Sequence, residues 1–189
     1  TLLVEYIYLD SEERKRFAQA SHEYLIEQLQ YSGVETLSAS TNNKYRLNFN
    51  HPCKELVWVN QEFGTNVAAQ ADKIHDFTNG NSKNPTASAQ LKLNGHDRFS
   101  VQPGAYFNYV QSLQHHTCTP SLGVNVYSFA LNPEDHQPSG TCNFSRIDNA
   151  ELNITAETDT LADTKLHIFA TNYNVLRVMS GMGGLAYSN

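Results

Sequence analysis

His115-His116-Thr117-Cys118 is the densest group of potential metal ligands in the sequence. On a strand, His115 and His116 point to opposite faces and cannot bind one ion together. His116 and Cys118 then share a face, but two ligands make only half of a zinc site. The group is therefore expected to serve as hydrogen-bonded surface or interface residues. His22-Glu23 opens like a metalloprotease helix motif, but Ile26 stands where the second His is needed. His96-Asp97-Arg98 follows Asn94-Gly95 and reads as a turn with a local ion pair rather than a catalytic dyad. Gly181-Met182-Gly183-Gly184 has the glycines of a phosphate loop but no following Lys or helix, so a flexible or tightly turning tail is expected. The sequence contains neither the His-x-His of cupin enzymes nor a Gly-x-Ser-x-Gly elbow. Asn143-Phe144-Ser145 and Asn153-Ile154-Thr155 match the glycosylation sequon; both fall in expected strands and are expected to be unused. No catalytic, cofactor-binding or metal residue is assigned, and the expectation is a protein that is not an enzyme and takes no cofactor.

The composition narrows the field further. The 189 residues include 13 Lys and Arg against 19 Asp and Glu, a formal net charge of −6. Coating nucleic acid needs clustered basic residues, so direct nucleic-acid binding is not expected. Only 17% of residues are charged, and neutral polar residues fill the gap, including 19 Asn. Asn favours turns and depresses helix, which argues against a mainly helical protein. The 40% hydrophobic and 11% aromatic content is too rich for disorder. No apolar run approaches the roughly 20 residues of a membrane helix. Cys53, Cys118 and Cys142 are odd in number, widely spaced and without a CxxC, which fits free thiols in a reducing compartment better than a disulfide framework.

The elements that must position these residues read mostly as strands. Residues 1–9 alternate and are rich in Val, Ile and Tyr, so they predict a strand. Asp10-Ser11-Glu12-Glu13 predicts a helix start, and Arg14-Lys15-Arg16 the solvated face of a short connector. Residues 22–30 suit helix or strand. Residues 38–43 predict a loop and Lys44–Asn50 a half-buried strand ended by His51-Pro52. A strand over Glu55–Val59 carries Trp58 as its anchor. Residues 60–87 predict a long surface excursion. Further strands are expected at 89–93, 123–131, 141–147, 150–155 and 165–178, with a short helix within 103–115. Asn172 and Asn174 interrupt the last apolar pattern and predict a bulge or sheet-edge hydrogen bonds. Pro133–Gly140 is dense turn chemistry. Short strands separated by turns predict an all-β sandwich. The chain opens with Thr inside an apolar run, which reads as the last strand of a preceding unit and hence as a C-terminal fragment.

Six runs carry a resemblance. They are Glu12-Glu13-Arg14-Lys15-Arg16-Phe17-Ala18-Gln19, Ser21 to Gln30, Phe49-Asn50-His51-Pro52-Cys53-Lys54-Glu55-Leu56, Val126-Tyr127-Ser128-Phe129-Ala130-Leu131, the run from Glu134-Asp135-His136-Gln137-Pro138-Ser139-Gly140-Thr141-Cys142-Asn143-Phe144-Ser145-Arg146-Ile147-Asp148-Asn149, and Asn172-Tyr173-Asn174-Val175-Leu176-Arg177-Val178-Met179-Ser180-Gly181-Met182-Gly183-Gly184-Leu185-Ala186-Tyr187-Ser188-Asn189. Together they resemble the major capsid proteins of nucleocytoplasmic large DNA viruses, with the algal-virus and mimivirus-like groups nearest. The resemblance implies a double jelly roll, three copies of which form a pseudo-hexagonal capsomer that tiles an icosahedral shell. Residues 1–30 would be the last strand of the first jelly roll plus its connector, and residues 31–189 the second jelly roll. It implies a homotrimer in the virion capsid, assembled in the host cytoplasm. Neighbouring capsomers and minor capsid proteins would be its partners, with the inner viral membrane close by. Two readings from other classes stand beside it. One is a jelly-roll carbohydrate-binding module using Trp58 and the abundant Asn and Tyr. The other is a metal-dependent enzyme built on His96, His115, His116 and Cys118.

Overall fold

The structure is a computed structural model that describes residues 1–38, 42–61, 75–79, 81–158, 160 and 164–187. The chain divides into two compact units, one of residues 1–27 with 173–189 and the other of residues 28–172. Most of the predicted excursion at 60–87 lies outside the described residues.

Helix α1 spans Ser11–Gln19. Asp10 caps it by accepting the Glu13 N–H at 2.8 Å, and Glu12 and Glu13 sit in the positive first turn. None of its residues is buried, so the cap and local charge hold it rather than packing. The basic run is solvated as expected, with Lys15 3.4 Å from Glu12.

The remaining elements are β1 His22–Leu37, β2 Asn42–Arg46, β3 Pro52–Gln61, β4 Thr86–Leu93, β5 His96–Asp97 and β6 Gln102–Pro103. A π-helical turn at Tyr106–Val110 leads into helix α2 at Gln111–His115. Then follow β7 Val124–Ser128, β8 Cys142–Asn143, a 3-10 turn at Phe144–Arg146, β9 Ala150–Ala156, β10 Thr164–Met179 and β11 Met182–Leu185. One sheet runs β1-β10-β3-β7, with β11 added to β10 and β8 to β3. The other runs β2-β9-β4-β5, with β6 added to β4. Both are antiparallel wherever a register is defined. The predicted all-β jelly-roll sandwich is the fold observed.

Within residues 28–172 the two sheets share one core. Leu56 and Trp58 of β3 and Leu166, Ile168 and Ala170 of β10 meet Leu152 and Ile154 of β9 and Ala89 and Leu91 of β4. The period of two explains this: Ala150, Leu152, Ile154 and Ala156 are all buried on one face of β9. Trp58 is fully buried and packs edge-on against Phe107, with ring centroids 5.0 Å apart.

The β10–β3 register slips between Thr171 and Asn172, which face Glu55 and Cys53 respectively. The expected bulge is therefore present, and the extra residue is Lys54 on the partner strand. Its carbonyl accepts N–H groups from Phe129 at 2.9 Å and Ala130 at 3.3 Å, so the broken ladder stays satisfied.

Two of the expected strands do not form as predicted. Residues 1–9 form no strand and are exposed; Tyr8 is 91% accessible. Alternation gives a strand only where a partner supplies the ladder, and no strand among the described residues pairs with this segment. Residues 141–147 pair with β3 only through Cys142 and Asn143. Asn143 then accepts the Ser145 N–H with its own side chain at 3.0 Å and starts a 3-10 turn instead.

Candidate functional site: an assembly surface

The groups with chemical potential are each placed in a different environment. His22 and Glu23 lie on β1, a strand, so they face opposite sides and the metalloprotease spacing loses its helix. His22 packs on Phe17, and Glu23 pairs with Arg177 at 2.7 Å. Asp97 pairs with Lys92 at 3.4 Å, so the ion pair at this turn reaches outside the His96-Asp97-Arg98 trio. Asn153 is buried on β9, and Asn143 is the cap of the 3-10 turn. Trp58 sits in the core, which removes the aromatic platform from the carbohydrate-binding reading.

His115 and His116 do not stand on a strand. His115 ends α2 and its Nδ1 lies 2.9 Å from the Leu131 carbonyl oxygen. His116 leaves the helix in an extended conformation, between two carboxylates: its Nδ1 is 3.2 Å from Glu134 and its Nε2 3.4 Å from Glu55. The carboxylates approach opposite ring nitrogens, so the trio cannot converge on one ion, and Cys118 is exposed beyond it. Among the described residues no three His, Cys, Asp or Glu are grouped to hold a metal. The arrangement can instead fasten chain segments: Glu134 brings the turn at 133–140 to the end of α2, and Glu55 brings β3. Sequence reasoning missed both carboxylates. The only signal was Glu55 as the polar alternate of an apolar strand.

A cleft of about 360 Å³ is lined by Asn84, Thr86, Gly104 and Tyr109. Its polar floor is spent on the fold. Asn84 donates to the Asn125 side chain at 2.7 Å and accepts the Thr86 N–H at 3.1 Å.

What the surface offers in quantity is apolar side chains. Among the described residues strand β1 is an end strand of its sheet; it is sixteen residues long, and Leu25, Leu29, Tyr31 and Val34 along it are exposed. A long end strand carries unpaired backbone groups as well as side chains, and a monomer must cover or blunt it. In the other sheet-end device, Ser180 and Gly181 take positive φ values of 53° and 77° and turn β11 back on β10. Met179, Met182, Leu185 and Tyr187 remain exposed on this hairpin. The tail is thus ordered against its own β10, with the Tyr187 carbonyl accepting from Asn174 at 2.8 Å. Exposed apolar groups in this number mark interaction surfaces.

The family model for the large eukaryotic DNA virus major capsid protein matches residues 13–184. The chain is 52% identical to the major capsid protein of Pyramimonas orientalis virus, over 100% of this chain and 48% of that one. It is 44% identical to the major capsid protein of Paramecium bursaria Chlorella virus 1, over 98% of this chain and 53% of that one. The chain spans about half the length of these relatives. A quasi-atomic model of the PBCV-1 virus capsid superposes with a TM-score of 0.83 at 42% identity, covering 97% of this chain and 56% of that one. The Faustovirus major capsid protein shares the fold at 13% identity, with a TM-score of 0.65 over 89% of this chain and 36% of that one. The chain belongs to the major capsid protein family of large eukaryotic DNA viruses.

Proposed function

We propose that this chain is the second jelly roll of a major capsid protein that builds an icosahedral virion shell. The observation that carries the reading is the likeness to the PBCV-1 capsid model over nearly the whole chain at 42% identity. Residues 1–30 are assigned to the last strand of a first jelly roll and its connector, and residues 31–189 to the second jelly roll. The exposed, Val-, Ile- and Tyr-rich segment 1–9 supports this, since it is built like a strand and pairs with none among the described residues. The role is structural rather than enzymatic: the histidines and carboxylates here fasten segments together. Three copies of the full-length protein form a pseudo-hexagonal capsomer, and closed cyclic symmetry suits such a unit. Neighbouring capsomers and minor capsid proteins cover its flanks, the inner viral membrane lies beneath, and assembly takes place in the host cytoplasm. The net charge of −6 gives no basis for direct nucleic-acid contact.

The test is full-length protein studied by sedimentation and electron microscopy. A trimeric particle with pseudo-hexagonal outline is expected. A stable monomer across the micromolar range, with no such particle, overturns the reading.

A further inference from the structure

Cys53 and Cys142 lie directly opposite one another where β8 joins β3. Opposed residues of an antiparallel pair project to the same face, with Cα atoms about 4.5–5.5 Å apart. That spacing falls inside the roughly 4.4–6.8 Å that a disulfide spans. The register slip at Lys54 contributes to this placement. It resets the alternation of β3, so that Cys53 is fully buried in the core together with Leu56 and Trp58. Cys142 is half-buried and packs against the same core. Both are thiols in this structure, and the Cys53 Sγ is directed at the carbonyl oxygens of Asn50 and His51, 3.6 and 3.7 Å away.

We infer that Cys53 and Cys142 are a cross-strand thiol pair that oxidises to an intrachain disulfide, a redox modification site at the junction of β8 with the core. The oxidant is a small disulfide of the glutathione class. Cys142, the more accessible, gives up its proton and attacks one sulfur of the small disulfide; one small thiolate leaves and a mixed disulfide forms on Cys142. Cys53 then loses its proton and attacks the Cys142 sulfur, expelling the second small thiolate. The two departing thiolates take up the two protons, so one disulfide is reduced as one is formed. The second step requires the Cys53 side chain to rotate from the carbonyls toward β8. Burial pushes the Cys53 thiol up to about 12 and the Cys142 thiol upward as well, so little thiolate is present at neutral pH. The pair is therefore a slow lock, not a fast sensor, and its closure accelerates as pH rises. Closing it ties the short strand β8, and with it the end of the 133–140 turn, to a position about ninety residues earlier in the chain.

The test uses the full chain carrying Cys118→Ser, which removes the exposed thiol. Folded protein is incubated with glutathione disulfide at pH 7 and pH 9, quenched in acid, and mapped by non-reducing peptide mass analysis. The expected result is a Cys53–Cys142 linked peptide, two hydrogens lighter than the reduced pair, formed at least tenfold faster at pH 9. The oxidised protein should melt about 5 °C or more above its reduced form, and Cys142→Ala should abolish that difference. Persistent free Cys53 in protein whose Cys142 has become glutathionylated overturns the inference. So does a linked peptide that appears only after denaturant is added, because the pairing then owes nothing to the fold. The result is independent of whether the full-length protein trimerises.

Discussion

Glu134 accepts the backbone N–H of Thr117 through Oε2 at 3.0 Å, joining the turn at 133–140 to the chain just beyond α2. The other carboxylate oxygen reaches His116 Nδ1 at 3.2 Å. Hydrogen bonds from the Thr117 hydroxyl and N–H, with a further contribution from His116, hold the Glu134 carboxyl below its usual range. A depressed carboxyl contributes stability that is fully present above its unfolded value of about 4.3 and is lost as pH falls through the lower folded value. Thermal midpoints measured between pH 3 and pH 6 should therefore fall more steeply on the acid side for the native chain than for Glu134→Gln. Parallel curves would show that the contact does not hold the turn. The group is exposed, so the effect is small.

A second prediction concerns the other end of that turn. Gly140 has φ of +147°, and a Cβ built there would lie 2.9 Å from the Phe129 carbonyl oxygen. The contact is with backbone, which cannot swing aside. Gly140→Val should cost about 1–3 kcal/mol in chemical denaturation, from strain and displacement of the Phe129 backbone just past β7. An unfolding midpoint unchanged from the native chain would mean that the turn relaxes freely.

A third prediction separates volume from polarity in the core. Trp58 is fully buried, and its indole N–H has no acceptor among the described residues. Trp58→Ala should cost about 3–5 kcal/mol, leaving a cavity against Phe107. Trp58→Phe keeps much of the apolar contact and removes the unsatisfied donor, so its loss should be clearly smaller. Equal losses in urea titrations would show that the N–H does find a partner.

These positions also show what was legible in advance. Trp58 and the alternation of β9 were readable because burial on one face leaves a period-two mark in the residues themselves. The bulge was readable from Asn172 and Asn174, but its extra residue is Lys54, since register belongs to a pair of strands and not to one. The 3-10 turn at Phe144 was not readable, because Asn143 chooses locally between ladder and side-chain bond. The surroundings of His116 were hidden for a related reason. Glu55 and Glu134 come from distant segments, and nothing in their neighbours announces a meeting. Leu25, Ile26 and Leu29 fitted helix or strand equally; pairing with β10 decided for the strand.

A fourth prediction follows from residues 1–9. Leu2, Leu3, Tyr6 and Tyr8 are exposed on a segment patterned as a strand and without a strand partner among the described residues. Such a segment recruits other chains. The 189-residue chain should therefore self-associate at lower concentration than a version starting at Asp10, with both showing the same thermal midpoint. Identical light scattering from the two would remove the segment from the account.

The last prediction concerns the β10–β11 hairpin. Leu176 faces Leu185 and Met179 faces Met182 in its register, yet both methionines remain more than half exposed. Pairing thus satisfies the backbone of the tail without burying its apolar side chains. The shared core is built from residues between Leu37 and Ala170, so the paired end of the hairpin, residues 176–185, contributes none of it. Deleting residues 180–189 should leave the thermal midpoint of this chain within about 3 °C of native, since no buried core side chain is lost. In the full-length protein the same deletion removes exposed Met, Leu and Tyr groups, the kind of side chain that anchors interfaces. Dissociation of the proposed trimer, followed by sedimentation over a dilution series, should then occur at concentrations at least tenfold higher. If the deletion shifts the midpoint of the isolated chain strongly and leaves trimer dissociation unchanged, the hairpin is a structural brace of its own subunit. In that case its exposed methionines have no partner across the capsomer.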